Sequence, residues 1–259
     1  MPLYDCWTAI DVAGHRCDLY TPHDPLPGRA IIALHDTDAR AFAETSPIAR
    51  LAEAHRLPVL APHTGRSWWL DRIVPAFDPR VTPERHVVDA VRDEAARRFG
   101  TGPGGIALLG VGMGGQGALR ISYRHPTVFP VTAAIAPVVD FHLAVHAAML
   151  DEAWGDDDGD DVLLALYGDT ERARQDTAIL HVHPLNWPRH QWFASDPRDG
   201  RSFDGAQRLH GKLGALGIPH TALFEPRGDG SRDAFTAAVA PDAIRFVLDA
   251  LDAESRRLA

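Results

Sequence analysis

Short apolar runs recur along the chain at residues 30–34, 58–62, 106–111, 131–136 and 191–195, and stretches with helical spacing lie between them. Runs this short, bounded by Gly, Pro or Asp, fit strands that are covered on both faces. Residues 5–20 instead alternate around Ala13-Gly14, which predicts an antiparallel hairpin. Helical periodicity covers 47–56. A further helix starts at Thr82-Pro83-Glu84-Arg85, with Pro in the first position, and runs to about Phe99 before Gly100 stops it. A helix over about 205–216, a strand at 219–224, a loop at 225–232 and a last helix over about 241–251 complete the pattern. Strands alternating with helices in this way predict an α/β chain with a mostly parallel sheet and helices on both faces. Residues 141–178 read as a helical, acidic insertion. The segment His63–Asp71 mixes polar and aromatic residues without period, so it is a loop at the C-terminal end of a strand. Ligands sit at that edge in doubly wound sheets, which makes Trp68, Trp69 and Asp71 candidates for a pocket wall. The other reading of the two tryptophans is that they pin the loop to the core.

Composition narrows the classes. With 259 residues and 45% hydrophobic content, the chain can bury one large core, so residues 1–259 are expected to form a single domain. The 35 acidic against 26 basic residues give a formal net charge of −9, which offers no basic field to nucleic acid or anionic lipid. No apolar run reaches the roughly 18 residues of a membrane span. Two cysteines, Cys6 and Cys17, are too few for a disulfide framework, and Met-Pro-Leu-Tyr-Asp has no signal-peptide character, so the expected location is cytoplasmic. The run Asp156–Asp161 lacks the glutamate that a calcium loop needs at its twelfth position, which here is Tyr167, and reads as a solvated charge run. His181 and His183 are spaced to share one face of a strand, but two histidines alone do not make a zinc site. No metal and no cofactor are expected.

The most informative stretch is 106–121, a buried strand that turns within a few residues into a small-residue helix. Gly110, Val111, Met113, Gly114 and Gly115 fit the Gly-x-Ser-x-Gly nucleophile elbow, in which small residues permit a strained strand-to-helix turn. The nucleophile position itself is Gly112. A phosphate-binding Gly-x-Gly-x-x-Gly also matches at Gly110, Gly112 and Gly115. That motif belongs on a first strand with an acidic residue about 20 positions on, and here strands precede it and Ala133–Pro137 follows at that distance.

Further segments carry a resemblance: Ala33-Leu34-His35, Gly65-Arg66-Ser67-Trp68-Trp69, Gly114–Arg120 followed by His125-Pro126 and Phe129, His183-Pro184, Asp196–Asp199, and Leu213–His220. Together they resemble the esterase D family of α/β-hydrolases, which includes S-formylglutathione hydrolases and carboxylesterases. The resemblance implies an α/β-hydrolase fold with a Ser, Asp, His triad in that chain order. Carried over by position, the serine is Gly112, the aspartate is Asp199, the histidine is Gly230 and the tryptophan that follows it is Arg232. Asp36 stands where the family has the glycine of its oxyanion loop. His35, Asp36, Trp68, Trp69 and Met113 would then border the substrate. A glycine supplies neither nucleophile nor base, and a carboxylate opposes an oxyanion developing beside it. The expected function is that of an esterase-like homologue with impaired or absent ester hydrolysis that keeps a pocket for a small-molecule ligand or a partner. The competing reading is an active acyl hydrolase. It would use water activated by His35 or His63, oriented by Asp36 or Asp229, or a different nucleophile such as Ser67, Ser195 or Ser231.

Overall fold

The computed structural model describes residues 6–38, 46–150 and 161–258. Among them, strands β1 (Cys6–Val12), β2 (His15–Thr21), β3 (Ala30–Leu34), β4 (Val59–Pro62), β5 (Ile106–Val111), β6 (Val131–Ile135), β7 (His190–Ala194) and β8 (Thr221–Leu223) form one sheet. Their order is β1-β2-β4-β3-β5-β6-β7-β8. The hairpin β1-β2 and the pair β2-β4 are antiparallel, and every later pairing is parallel. The alternation predicts this mostly parallel sheet, and the arrangement is the α/β-hydrolase fold that the resemblance implies. Ala13 and Gly14 close the hairpin at φ 52° and 87°, the left-handed geometry that matches strand twist. The register sets Cys6 opposite Thr21 and Cys17 opposite Ile10, so the two cysteines are not cross-strand partners.

Helices α1 (Pro47–Ala54), α3 (Met113–Arg124), α4 (His142–Leu150), α5 (Asp161–Tyr167), α6 (Thr170–Arg174), α7 (Gly200–Ala215) and α8 (Arg232–Leu258) connect or follow the strands. Between α1 and α3, one continuous helix, α2, runs through Pro83–Arg85, a π-helical stretch His86–Val91 and Arg92–Phe99. The Thr82 hydroxyl caps its start and Gly100 ends it at φ 63°. Alternate residues of β3 serve opposite layers. Ile31 and Ala33 pack with Ile48 of α1 and Val239 of α8, whereas Ile32 and Leu34 pack with Val91 of α2 and Ala118 of α3. Helix α3 therefore starts directly above the centre of the sheet. Its approach to β3 is close: a Cβ on Gly114 would overlap the Leu34 carbonyl. Gly114→Ala is expected to lower stability by about 1–3 kcal/mol through overpacking, read as a shifted urea midpoint with an unchanged slope.

Three expectations need correction. Helix α8 begins at Arg232, nine residues before Pro241, and carries that proline inside its 27 residues. Proline looks like a first helical residue in sequence, but buried Phe235, Val239, Ala243 and Val247 continue one apolar stripe through it, and packing overrides the missing hydrogen bond. Helix α7 starts at Gly200 because the Asp199 carboxylate caps it by accepting from the Arg201 amide at 3.2 Å. His181 ends a 3₁₀ turn, Ala178–His181, and its Nε2 lies 3.1 Å from Asp176, while His183 follows outside it. The two share no strand: His181 belongs to the 3₁₀ turn, and His183 forms an isolated antiparallel bridge with Asn186. The acidic insertion contributes α4, α5 and α6, and Asp156–Asp160 lie outside the described residues. No helix of the described residues is long and apolar enough to cross a membrane.

Candidate active site

Gly112 sits at φ 55° and ψ −116° between β5 and α3. Its amide donates to the Ile135 carbonyl at 2.9 Å, and its own carbonyl accepts from Gln116 at 3.1 Å and Val138 at 3.2 Å. The strained turn is thus held from both sides. A Cβ at this position would overlap the carboxylate of Asp36, which reaches in from the loop after β3. Asp36 Oδ1 accepts from the Met113 amide at 2.8 Å and from the Thr37 amide at 2.8 Å. Asp36 Oδ2 accepts from Arg232 Nη1 at 3.0 Å, and Arg232 Nη2 lies 3.6 Å from Asp199 Oδ2. Asp199 is itself fixed by the Ser202 hydroxyl at 2.8 Å and the Arg201 amide.

The result is a continuous ionic chain, Asp36–Arg232–Asp199, across the top of the elbow. In this fold the amide after the nucleophile is an oxyanion donor, and here that amide, Met113, is already bonded to a carboxylate. Arginine stays charged at any working pH and cannot exchange protons as a histidine does. Its two nearby carboxylates give it a charge-assisted, fixed place between them.

His35 is buried and both of its ring nitrogens are engaged. Nδ1 donates to the Asp36 carbonyl at 2.8 Å, and Nε2 accepts from the Thr64 amide at 3.2 Å. Burial lowers its pKa, so the ring is neutral with its proton on Nδ1. His63 lies 6.0 Å away between ring centroids and bonds Asp18 Oδ2 at 2.9 Å. Trp68 and Trp69 are 1% and 0% exposed. The Trp69 indole donates to the His35 carbonyl at 3.2 Å, and Trp68 packs on Phe141 at 5.6 Å. Both anchor their loop in the core. Met113 is equally buried, with its sulfur 3.3 Å from the Trp68 amide nitrogen. Asp71 pairs outward with Arg124 at 2.8 Å and the Thr82 hydroxyl at 2.9 Å.

Gly112, Met113, His35, Asp36 and Asp199 are thus gathered at one place. Gly230, at φ 101°, faces Arg198, whose guanidinium would stand 3.7 Å from a Cβ added there. The serines have local partners: Ser67 donates to Thr64 at 2.7 Å, Ser195 and Ser202 share a hydrogen bond of 2.7 Å, and the Ser231 hydroxyl accepts from the Ala234 amide at 3.2 Å. Beside the ionic chain opens a cavity of about 250 Å³, lined by His35, Asp36, Ser46, Arg50, Arg232 and Thr236 among others. Trp68, Trp69 and Met113 do not border it. Sequence reasoning missed Arg50 and Thr236. Neither belongs to a motif; the helical spacing of 47–56 covers Arg50, whereas Thr236 lies between the loop expected at 225–232 and the helix expected from about 241. No group of three or more His, Cys, Asp or Glu among the described residues could hold a metal ion.

An elbow above the centre of an eight-stranded sheet, with an acid after β7, defines the α/β-hydrolase class. Residues 27–191 match the model of the Esterase family, and the chain belongs to that family. Solved structures agree in fold. An S-formylglutathione hydrolase from Agrobacterium tumefaciens superposes with a TM-score of 0.72 at 18% identity, covering 95% of this chain and 94% of its own. The fluorophosphonate-binding serine hydrolase FphF of Staphylococcus aureus gives 0.68 at 14% identity, covering 94% and 98%. An S-formylglutathione hydrolase from the same organism gives 0.64 at 13% identity, covering 94% and 97%. No curated protein matches the chain significantly in sequence.

Proposed function

We propose that this esterase-family chain has a degenerate triad, does not hydrolyse esters, and uses the cavity at the C-terminal edge of its sheet to bind a small ligand. The observation that carries the reading is the Asp36 carboxylate. It occupies the volume that a side chain at position 112 would need and bonds the Met113 amide that would stabilise an oxyanion. An acyl-enzyme mechanism needs a nucleophile with a base within about 3 Å. Gly112 offers no nucleophile, Gly230 offers no base, and Arg232 fills the space between Asp36 and Asp199 with a group that cannot accept a proton. The water-activation alternative is opposed at His35, both of whose ring nitrogens are held by backbone groups, and His63 pairs with Asp18 where that reading called for Asp36 or Asp229.

The test is a pair of measurements on the purified chain, turnover of p-nitrophenyl butyrate and covalent labelling by a fluorophosphonate. The expected outcome is turnover at the buffer rate and no stoichiometric label. Turnover above buffer with no label would revive water activation. Stoichiometric labelling would reveal a nucleophilic serine and overturn the reading.

A further inference from the structure

The cavity beside the ionic chain contains two polar side chains with bonding capacity to spare. Thr236 of α8 lines it, is 6% exposed, and its Oγ1 has no hydrogen-bond partner among the described residues. A buried hydroxyl is seldom left so unless a ligand or water completes it. Arg50 of α1 also lines the cavity, and among the described residues no hydrogen bond or ion pair holds its guanidinium. The acidic groups of the lining are in the opposite condition. Asp36 accepts two amides and Arg232, and Asp38 and Asp233 each already interact with other groups. Among the described residues, what the cavity has free is therefore the capacity to donate hydrogen bonds and positive charge.

A guanidinium and a hydroxyl donating together suit a carboxylate, the planar anion that an arginine fork matches. Three aspartates in the same lining disfavour a dianion such as phosphate, since each adds repulsion to a second negative charge. The remaining wall includes Leu34, Pro47, Val111 and Ala237, which is apolar and suits a short hydrocarbon chain. We propose that this cavity binds a short-chain monocarboxylate, its carboxylate drawn to Arg50 and Thr236 and its chain against Leu34 and Val111. The inference rests on the reading of the site as non-hydrolytic: Asp36 already holds the Met113 amide, so a second carboxylate goes to the donors that remain.

Calorimetric titration of the full chain with sodium butyrate tests this, beside butyramide as the neutral analogue of the same shape and sodium chloride at matched ionic strength. Saturable binding of butyrate alone is expected, with Arg50→Gln and Thr236→Val each weakening it by about fivefold or more. Arg50 is exposed and valine matches threonine in shape, so both variants should melt like the parent. Equal binding of butyramide, reproduction of the heat by chloride, or unchanged affinity in both variants would overturn the assignment. Ester turnover measured on the same samples separates the two readings. Turnover together with charge-selective butyrate binding removes the non-hydrolytic reading and leaves the carboxylate site standing. Absence of both removes the carboxylate site alone.

Discussion

Restoring the family serine and histidine together, Gly112→Ser with Gly230→His, is expected to produce no ester hydrolysis, whereas adding Asp36→Gly and Arg232→Trp to them is expected to produce it. A serine Cβ at position 112 would overlap the Asp36 carboxylate, so the double variant must either push that loop away or hold the introduced serine in a wrong rotamer. Even a well-placed serine would find the Met113 amide occupied. Losing one oxyanion donor typically costs about 10²–10³ in rate, so freeing this one is worth at least that much once a nucleophile is present. The Arg232 side chain is the second obstacle. It lies against Asp199, and an imidazole cannot be oriented by a carboxylate that a guanidinium already holds. The fourfold variant removes both obstacles and keeps Asp199 with its Ser202 and Arg201 supports. We expect p-nitrophenyl butyrate turnover at least about 10²-fold above the parent, with stoichiometric fluorophosphonate labelling of the new serine. Activity in the double variant alone would mean that Asp36 yields readily and that the ionic chain is no block. Inactivity of the correctly folded fourfold variant would mean that position 230 does not point an imidazole at Asp199, in keeping with its present neighbour Arg198.

The framework of this site is legible in sequence because each part has a local signature. Period-two alternation around Ala13-Gly14, short apolar runs bounded by breakers, and a run of small residues after β5 each encode one element without reference to distant residues. The elbow can therefore be placed from sequence, and the empty position at Gly112 with it. The ionic chain is not legible. Asp36 and Arg232 are 196 residues apart, and no spacing rule relates them. Arg232 shows in sequence only as a departure from a motif, and Asp36 only as a charge in a loop that usually has none. That these two departures answer each other is a property of the folded site. Trp68 and Trp69 fail as pocket residues for a related reason. A loop at the ligand edge suggests exposure, yet the left-handed backbone at both, φ 55°, turns the indoles down into the core.

Arg120→Met is expected to cost about 3–5 kcal/mol, because it leaves carboxylates buried without their main cation. Arg120 of α3 is 1% exposed, and its guanidinium bonds Glu84, also 1% exposed, and Asp176 of the insertion. Glu84 is held further by Arg124 Nε at 2.8 Å and His125 Nε2 at 2.8 Å, and Asp176 by the Tyr167 hydroxyl at 2.7 Å. The cluster ties α2, α3 and the insertion to one another. Burial pushes the Glu84 pKa up, but the His125 hydrogen bond and the Arg120 and Arg124 charges outweigh it, so the net shift is down. Asp176 is lowered in the same way, with burial opposed by His181 and Arg120. Groups depressed in the folded state contribute stability above their unfolded pKa, near 4, and lose it as pH falls toward their folded values. The gap between parent and Arg120→Met should therefore be widest at pH 7 and shrink at pH 3 in urea titrations. Pairing the change with Glu84→Gln should recover part of the loss at pH 7, since a neutral amide needs no cation. A gap that is constant from pH 7 to pH 3, with no recovery in the double variant, would assign the cost to lost packing of the long Arg120 side chain in place of charge.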